Sequence, residues 1–130
     1  CPLFVPLVEN GFFGEKCEVA RLVAEEYLSE IKAQECDTVI LGCTHFPILS
    51  DVISDVLGDT VTLINPAVET AKRVKEQLME LDLCAERKRK GQSEYFVSDS
   101  KEDFCQNASL FLGHSVAQEA RKIDIETICE

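Results

Sequence analysis

The chain is organised by an alternation. Short runs rich in β-branched and aromatic residues, "TVIL" (38–41), "TVTLI" (60–64) and "EYFVS" (94–98), are separated by longer stretches in which apolar residues return every three or four positions. Strand-length runs joined by helix-period segments leave few ways to fold: each strand reaches the next through a crossover helix, so the strands lie parallel with helices on their faces. The runs are continuous rather than alternating, as expected where both faces of a sheet are covered. The predicted class is α/β, with a parallel sheet or sheets flanked by helices in the order β-α-β-α-β-α-β-α.

"LFVPLV" (3–8) reads as the first strand, with Pro6 placing its far end at a sheet edge. "NGFFGE" (10–15) is a turn, and Val19, Leu22, Val23, Leu28 and Ile31 give helical spacing from Glu15 to about Ala33. Pro47 suits the first turn of a second helix that stops at Gly58. Asn65 and Pro66 form a cap and first position for a third helix running to about Asp82. Ser100 and Asp103 stand at capping-box spacing for a last helix ending near Gly113, and His114 reads as a cap or surface group there. "KIDIETI" (122–128) alternates and reads as a short closing strand.

With 130 residues the chain has room for one domain or two small lobes. Its net charge of −11 argues against a broad nucleic-acid or anionic-membrane surface, and no apolar run reaches the length of a membrane span. "RKRK" (87–90) therefore reads as a solvated loop. Seven cysteines without a CxxC pair match no zinc module. No secretory signal is present, so reduced thiols in the cytosol are expected, most of them acting as small buried hydrophobes. The chain does not begin with methionine, and "PLFVPLVE" follows residue 1 at once, so it is expected to be a piece of a longer protein.

Chemistry concentrates in "TVILGCTHFP" (38–47). In open parallel sheets, ligands sit beyond the carboxyl ends of the strands, which is where Cys43 falls. If the backbone stays extended through Thr44, Cys43 and His45 point to the same side. An ordinary thiol titrates near about 8.5, so forming a thiolate at pH 7 costs roughly 2 kcal/mol. A helix start supplies roughly 0.3–1 kcal/mol of this, and an imidazole can supply the rest as a cation or by accepting the proton. Such a thiol can serve as a nucleophile or as a proton-transfer base; packing is the competing role.

"GCTHFP" (42–47) resembles the second cysteine motif of glutamate racemases. "CPLFVPLVENG" (1–11), "INPAVETA" (64–71) and "YFVSDSKEDF" (95–104) are similar to further segments of that family, in the same order. The resemblance implies cofactor-independent interconversion of L- and D-glutamate, supplying peptidoglycan synthesis in the bacterial cytoplasm. It also implies a homodimeric parent with a small-molecule substrate, glutamate, and no metal, nucleic-acid or membrane partner. In that family two α/β lobes enclose the site, and two cysteines face opposite sides of the substrate's α-carbon.

Position by position, the resemblance makes Cys43 the second catalytic cysteine. It makes Thr44 and His45 substrate-contacting residues, with His45 also assisting the thiol, and Glu9 an acidic residue near the site. Residues 1–65 would form the second lobe, and residues 66–130 would return to complete the first. The family's "ACNTA"-like segment, with its first catalytic cysteine, has no counterpart in this chain, so the chain alone is expected not to racemise glutamate. The alternatives are an aspartate- or hydantoin-type racemase, disfavoured by His45 and Phe46, and a non-catalytic small-ligand binding module on the same fold.

Overall fold

A computed structural model describes residues 1–86 and 91–125. The chain divides into two compact units, Cys1–Ala85 and Glu86–Glu130. The first contains α1 (Phe4–Glu9), α2 (Glu18–Ala33), β1 (Thr38–Ile40), a 3-10 turn (Phe46–Leu49) continuing into α3 (Ser50–Leu57), β2 (Thr62–Ile64) and α4 (Pro66–Glu80). The second contains β3 (Tyr95–Val97), α5 (Lys101–Leu112) and β4 (Ala120–Lys122). Each unit is built around one parallel strand pair joined by a helical crossover, β1 with β2 and β3 with β4.

The first element corrects the sequence reading: residues 3–8 are not a strand, and Phe4–Glu9 is a helix. Pro6 is compatible because it lies in the first turn, where backbone N–H groups have no intrahelical acceptor. The first helical bond is made by the following residue, Leu7 N–H to Leu3 O at 3.1 Å. The stop is written in "NG". Gly11, at φ 79°, donates to Val8 O at 3.0 Å, and Phe12 donates to Leu7 O at 2.8 Å. This paired closure needs a residue at positive φ, which glycine adopts without a Cβ clash. Glu9 is thereby the last helical residue.

The core of the first unit lies where α2 and α3 pack together. Ala20, Ala24 and Leu28 repeat every four residues on α2 and meet Val52, Ile53, Val56 and Leu57 of α3, with Phe4, Val8, Leu41 and Leu49 closing the cluster. Val39 and Leu63, opposite each other in the ladder, pack onto this core. The expectation that both faces of "TVIL" are covered is not met within the described residues: Ile40, on the other face, is 67% exposed. Helix α4 has its expected cap, with Asn65 Oδ1 accepting from Ala67 N–H at 3.0 Å, yet none of its residues is buried.

In the second unit Tyr95, Phe96 and Val97 pair with Ala120, Arg121 and Lys122. Ser100 Oγ accepts from Asp103 N–H at 3.1 Å, as the capping spacing predicts, and α5 ends at Gly113 in the left-handed conformation. His114 is an exposed group whose Nδ1–H donates to Leu112 O at 3.0 Å. The closing strand falls earlier than 122–128, because its register is set by the three residues of β3. The end of that segment and "RKRK" (87–90) lie outside the described residues. The cysteines also depart from expectation. Among the described residues Cys1 and Cys84 are exposed and Cys17, Cys36, Cys43 and Cys105 are half-buried, and these six are free thiols.

Candidate active site

Strand β1 ends at Ile40, but the ladder reaches one bond further, from Leu41 N–H to Ile64 O at 2.9 Å. Leu41 is buried and fixes the sheet's carboxyl rim. The chain then leaves the sheet through tight turns, with Gly42 donating to Ile40 O and Cys43 to Leu41 O, each at 2.9 Å. The backbone is not extended through Thr44, as the sequence reading supposed. It bends over residues 43–45, and His45 is already helical at φ −86° and ψ −31°, where it opens the 3-10 turn.

The bend nevertheless brings the two side chains together. Cys43 Sγ lies 3.9 Å from His45 Nδ1, and Thr44 Oγ1 lies 3.2 Å from the same nitrogen. On the far side of the ring, His45 Nε2 lies 3.1 Å from Glu9 Oε1, contributed by the end of α1. All four residues singled out from the sequence, Glu9, Cys43, Thr44 and His45, therefore meet in one cluster. Glu9 is at the end of a helix rather than of a strand.

The chemistry of this cluster follows from its donors and acceptors. An ionised carboxylate only accepts, so the Glu9 contact places a proton on Nε2. In the neutral ring Nδ1 is then an acceptor, open to the Cys43 thiol or the Thr44 hydroxyl. Nδ1 is thus the ring atom that stands next to the thiol, 3.9 Å from Sγ, with the carboxylate on the other ring nitrogen. The Glu9 side chain is 45% exposed, so solvent screens the pair and its direct stabilising value is roughly 0–1 kcal/mol. Its larger consequence is orientation: it selects the tautomer whose lone pair faces the sulfur.

Sequence reasoning missed the residues that hold the two halves of this cluster together. Phe4 of α1 is 1% exposed and meets Phe46, the neighbour of His45, edge to face at 5.3 Å and 89°. Its ring also meets Tyr27 of α2 at 5.5 Å and 77°, and the Tyr27 hydroxyl accepts from Leu3 N–H at 3.3 Å. Such ring pairs contribute about 0.5–1.5 kcal/mol beyond burial. The available signal was the spacing of Phe4 and Val8, four apart on one helical face, which is legible only once residues 4–9 are read as a helix.

The fold is a parallel α/β arrangement with a cysteine and a histidine at the carboxyl rim of its sheet, and the solved structures it resembles are racemases. The relatives it matches are glutamate racemases. The chain is 37% identical over 126 residues to the glutamate racemase of Thermoanaerobacter sp. (strain X514), covering 97% of this chain and 46% of that one. It is 41% identical over 128 residues to that of Geobacter metallireducens, covering 94% and 47%. Among solved structures, glutamate racemase from Thermus thermophilus in complex with beta-chloro-D-alanine superposes with a TM-score of 0.85 at 37% identity, covering 97% of this chain and 46% of that one. The Francisella tularensis enzyme in complex with D-glutamate gives 0.82 at 30% identity, with coverage of 96% and 46%. No family model matches. Along nearly all of its length the chain is thus similar to glutamate racemases, and it spans about half the length of the curated relatives it matches.

Proposed function

We propose that this chain is the carboxy-terminal half of a cofactor-independent glutamate racemase and that Cys43 is one of its two proton-transferring thiols. The observation that carries the proposal is the line Glu9–His45–Cys43, which joins a carboxylate, an imidazole and a thiol at 3.1 and 3.9 Å on the rim of a parallel sheet. As thiolate, Cys43 takes the α-proton from one face of glutamate, and a thiol on the opposite face delivers a proton to the carbanion. One proton is lost and one gained, and the configuration inverts. His45 holds the proton that Cys43 sheds beforehand, Glu9 keeps the ring in register, and Thr44 offers a hydroxyl to the substrate.

Two bases are required because a single base returns the proton to the face it came from. The second thiol lies outside this chain, so these 130 residues alone are expected to be inactive. In this reading residues 1–65 form the second lobe and residues 66–130 return to the first. The half-open β1–β2 sheet, with Ile40 exposed, and the unburied α4 support a fold completed by further polypeptide, since parallel sheets are normally covered on both faces. The whole enzyme would be a bacterial cytoplasmic homodimer supplying D-glutamate for peptidoglycan.

The test is a chimera in which the first half of the Thermoanaerobacter relative is placed ahead of Cys1. It should convert L- to D-glutamate, and Cys43→Ser should abolish conversion. A folded chimera that racemises nothing would overturn the assignment. Turnover by the 130-residue chain alone would overturn the two-thiol mechanism.

A further inference from the structure

We infer that Phe4 and Phe46 are positioning residues for the Cys43 thiol, acting through the Glu9–His45 contact; this rests on the proton-transfer reading of Cys43. Glu9 and His45 are 36 residues apart and come from separate elements, the end of α1 and the start of the 3-10 turn. Both are side chains at least partly open to solvent, so their own contact is too weak to hold two elements in register. The ring of Phe4 provides that hold. It is buried five residues before Glu9 on α1, and it stands edge to face against Phe46, the residue next to His45. On its other side it meets Tyr27, whose hydroxyl receives Leu3 N–H at the start of α1.

Phe4 is therefore gripped by α2 and in turn grips the residue beside the imidazole. An edge-to-face pair has a preferred angle as well as a preferred distance, whereas an aliphatic side chain of similar size fills space without fixing the angle. Replacing either ring by leucine should keep the core apolar but let α1 rotate or slide on the turn. Glu9 would then lose Nε2, the imidazole would populate both tautomers, and Nδ1 would face Cys43 only part of the time.

The experiment uses the 15N-labelled chain, with the His45 ring-nitrogen shifts read at a pH where the ring is neutral. Iodoacetamide alkylation of Cys43 is followed in the same samples. The parent chain should show the Nε2–H form. Phe46→Leu and Phe4→Leu should show mixed tautomers and alkylate Cys43 at least about threefold more slowly, as expected for loss of one hydrogen-bonded partner. Phe46→Tyr, which keeps the ring, should match the parent. Phe46 is only half-buried, so Phe46→Leu decides the matter if Phe4→Leu unfolds. A folded Phe46→Leu chain with the parent's tautomer and rate, while Glu9→Gln alters both, would overturn the positioning role. Should Glu9→Gln also leave both unchanged, the proton-transfer reading beneath it falls instead.

Discussion

Glu9 Oε1 meets His45 Nε2 at 3.1 Å across 36 residues of sequence, and on the opposite edge of the same ring Nδ1 faces the sulfur of Cys43. A carboxylate at the end of a helix is thus linked through one ring to a thiol it does not touch. Replacing it by an amide removes the charge and admits the other tautomer. Glu9→Gln should slow iodoacetamide alkylation of Cys43 at pH 7 by about three- to tenfold, the range expected for losing one charge-assisted hydrogen bond in a partly exposed site. Alkylation of the exposed Cys84 should be unchanged and serves as the internal control. Equal rates for Cys43 in both chains would show that the carboxylate has no hold on the thiol.

His45→Asn should have a larger effect than Glu9→Gln, because it removes the proton acceptor itself. Cys43 should then react at about the rate of an ordinary half-buried thiol, for which Cys36 and Cys105 provide the comparison. Peptide mass spectrometry after a short alkylation pulse resolves the three. A Cys43 that still outpaces them would place the activation elsewhere, at the backbone N–H groups of the turn.

The stop of α1 depends on Gly11. Nothing lies within 4 Å of a Cβ built there, so Gly11→Ala meets no steric neighbour, and its penalty is the positive φ of 79° alone. That penalty is about 1–2 kcal/mol. Urea unfolding should report the loss, and the His45 ring signals should shift as the end of α1 moves. An unchanged midpoint would mean that the closure of α1 tolerates another geometry.

The buried and unburied helices should respond differently to truncation. Ile53 of α3 is 1% exposed, and Ile53→Ala should cost about 2–5 kcal/mol. Leu78 of α4 is 39% exposed, and Leu78→Ala should cost less than about 1 kcal/mol in the 130-residue chain. Inside the complete chimera the same Leu78 change should cost more if further polypeptide covers α4. Paired denaturation curves of chain and chimera measure the difference.

Much of this arrangement was legible beforehand. The alternation of "TVIL" and "TVTLI" with helix-period segments gave the parallel pairs, because period and length separate strands from helices over such spans. The caps at Asn65 and Ser100 are local, set by a side chain and the two or three backbone donors that follow it. Residues 3–8 misled because a six-residue apolar run has no period to read, and the proline that looked like a strand breaker sits where a helix tolerates it.

The sequence by itself determined which groups the site contains: a thiol, a hydroxyl and an imidazole within three residues, placed after a strand. Local spacing decides this, since neighbours along the chain cannot be far apart in space. Only the tertiary structure decided that Glu9 serves the imidazole and that the rings of Phe4, Phe46 and Tyr27 hold it there. Those contacts join α1, α2 and the turn, elements distant in sequence. Their meeting is fixed by how apolar surface is buried across the whole unit, which no short stretch of residues encodes.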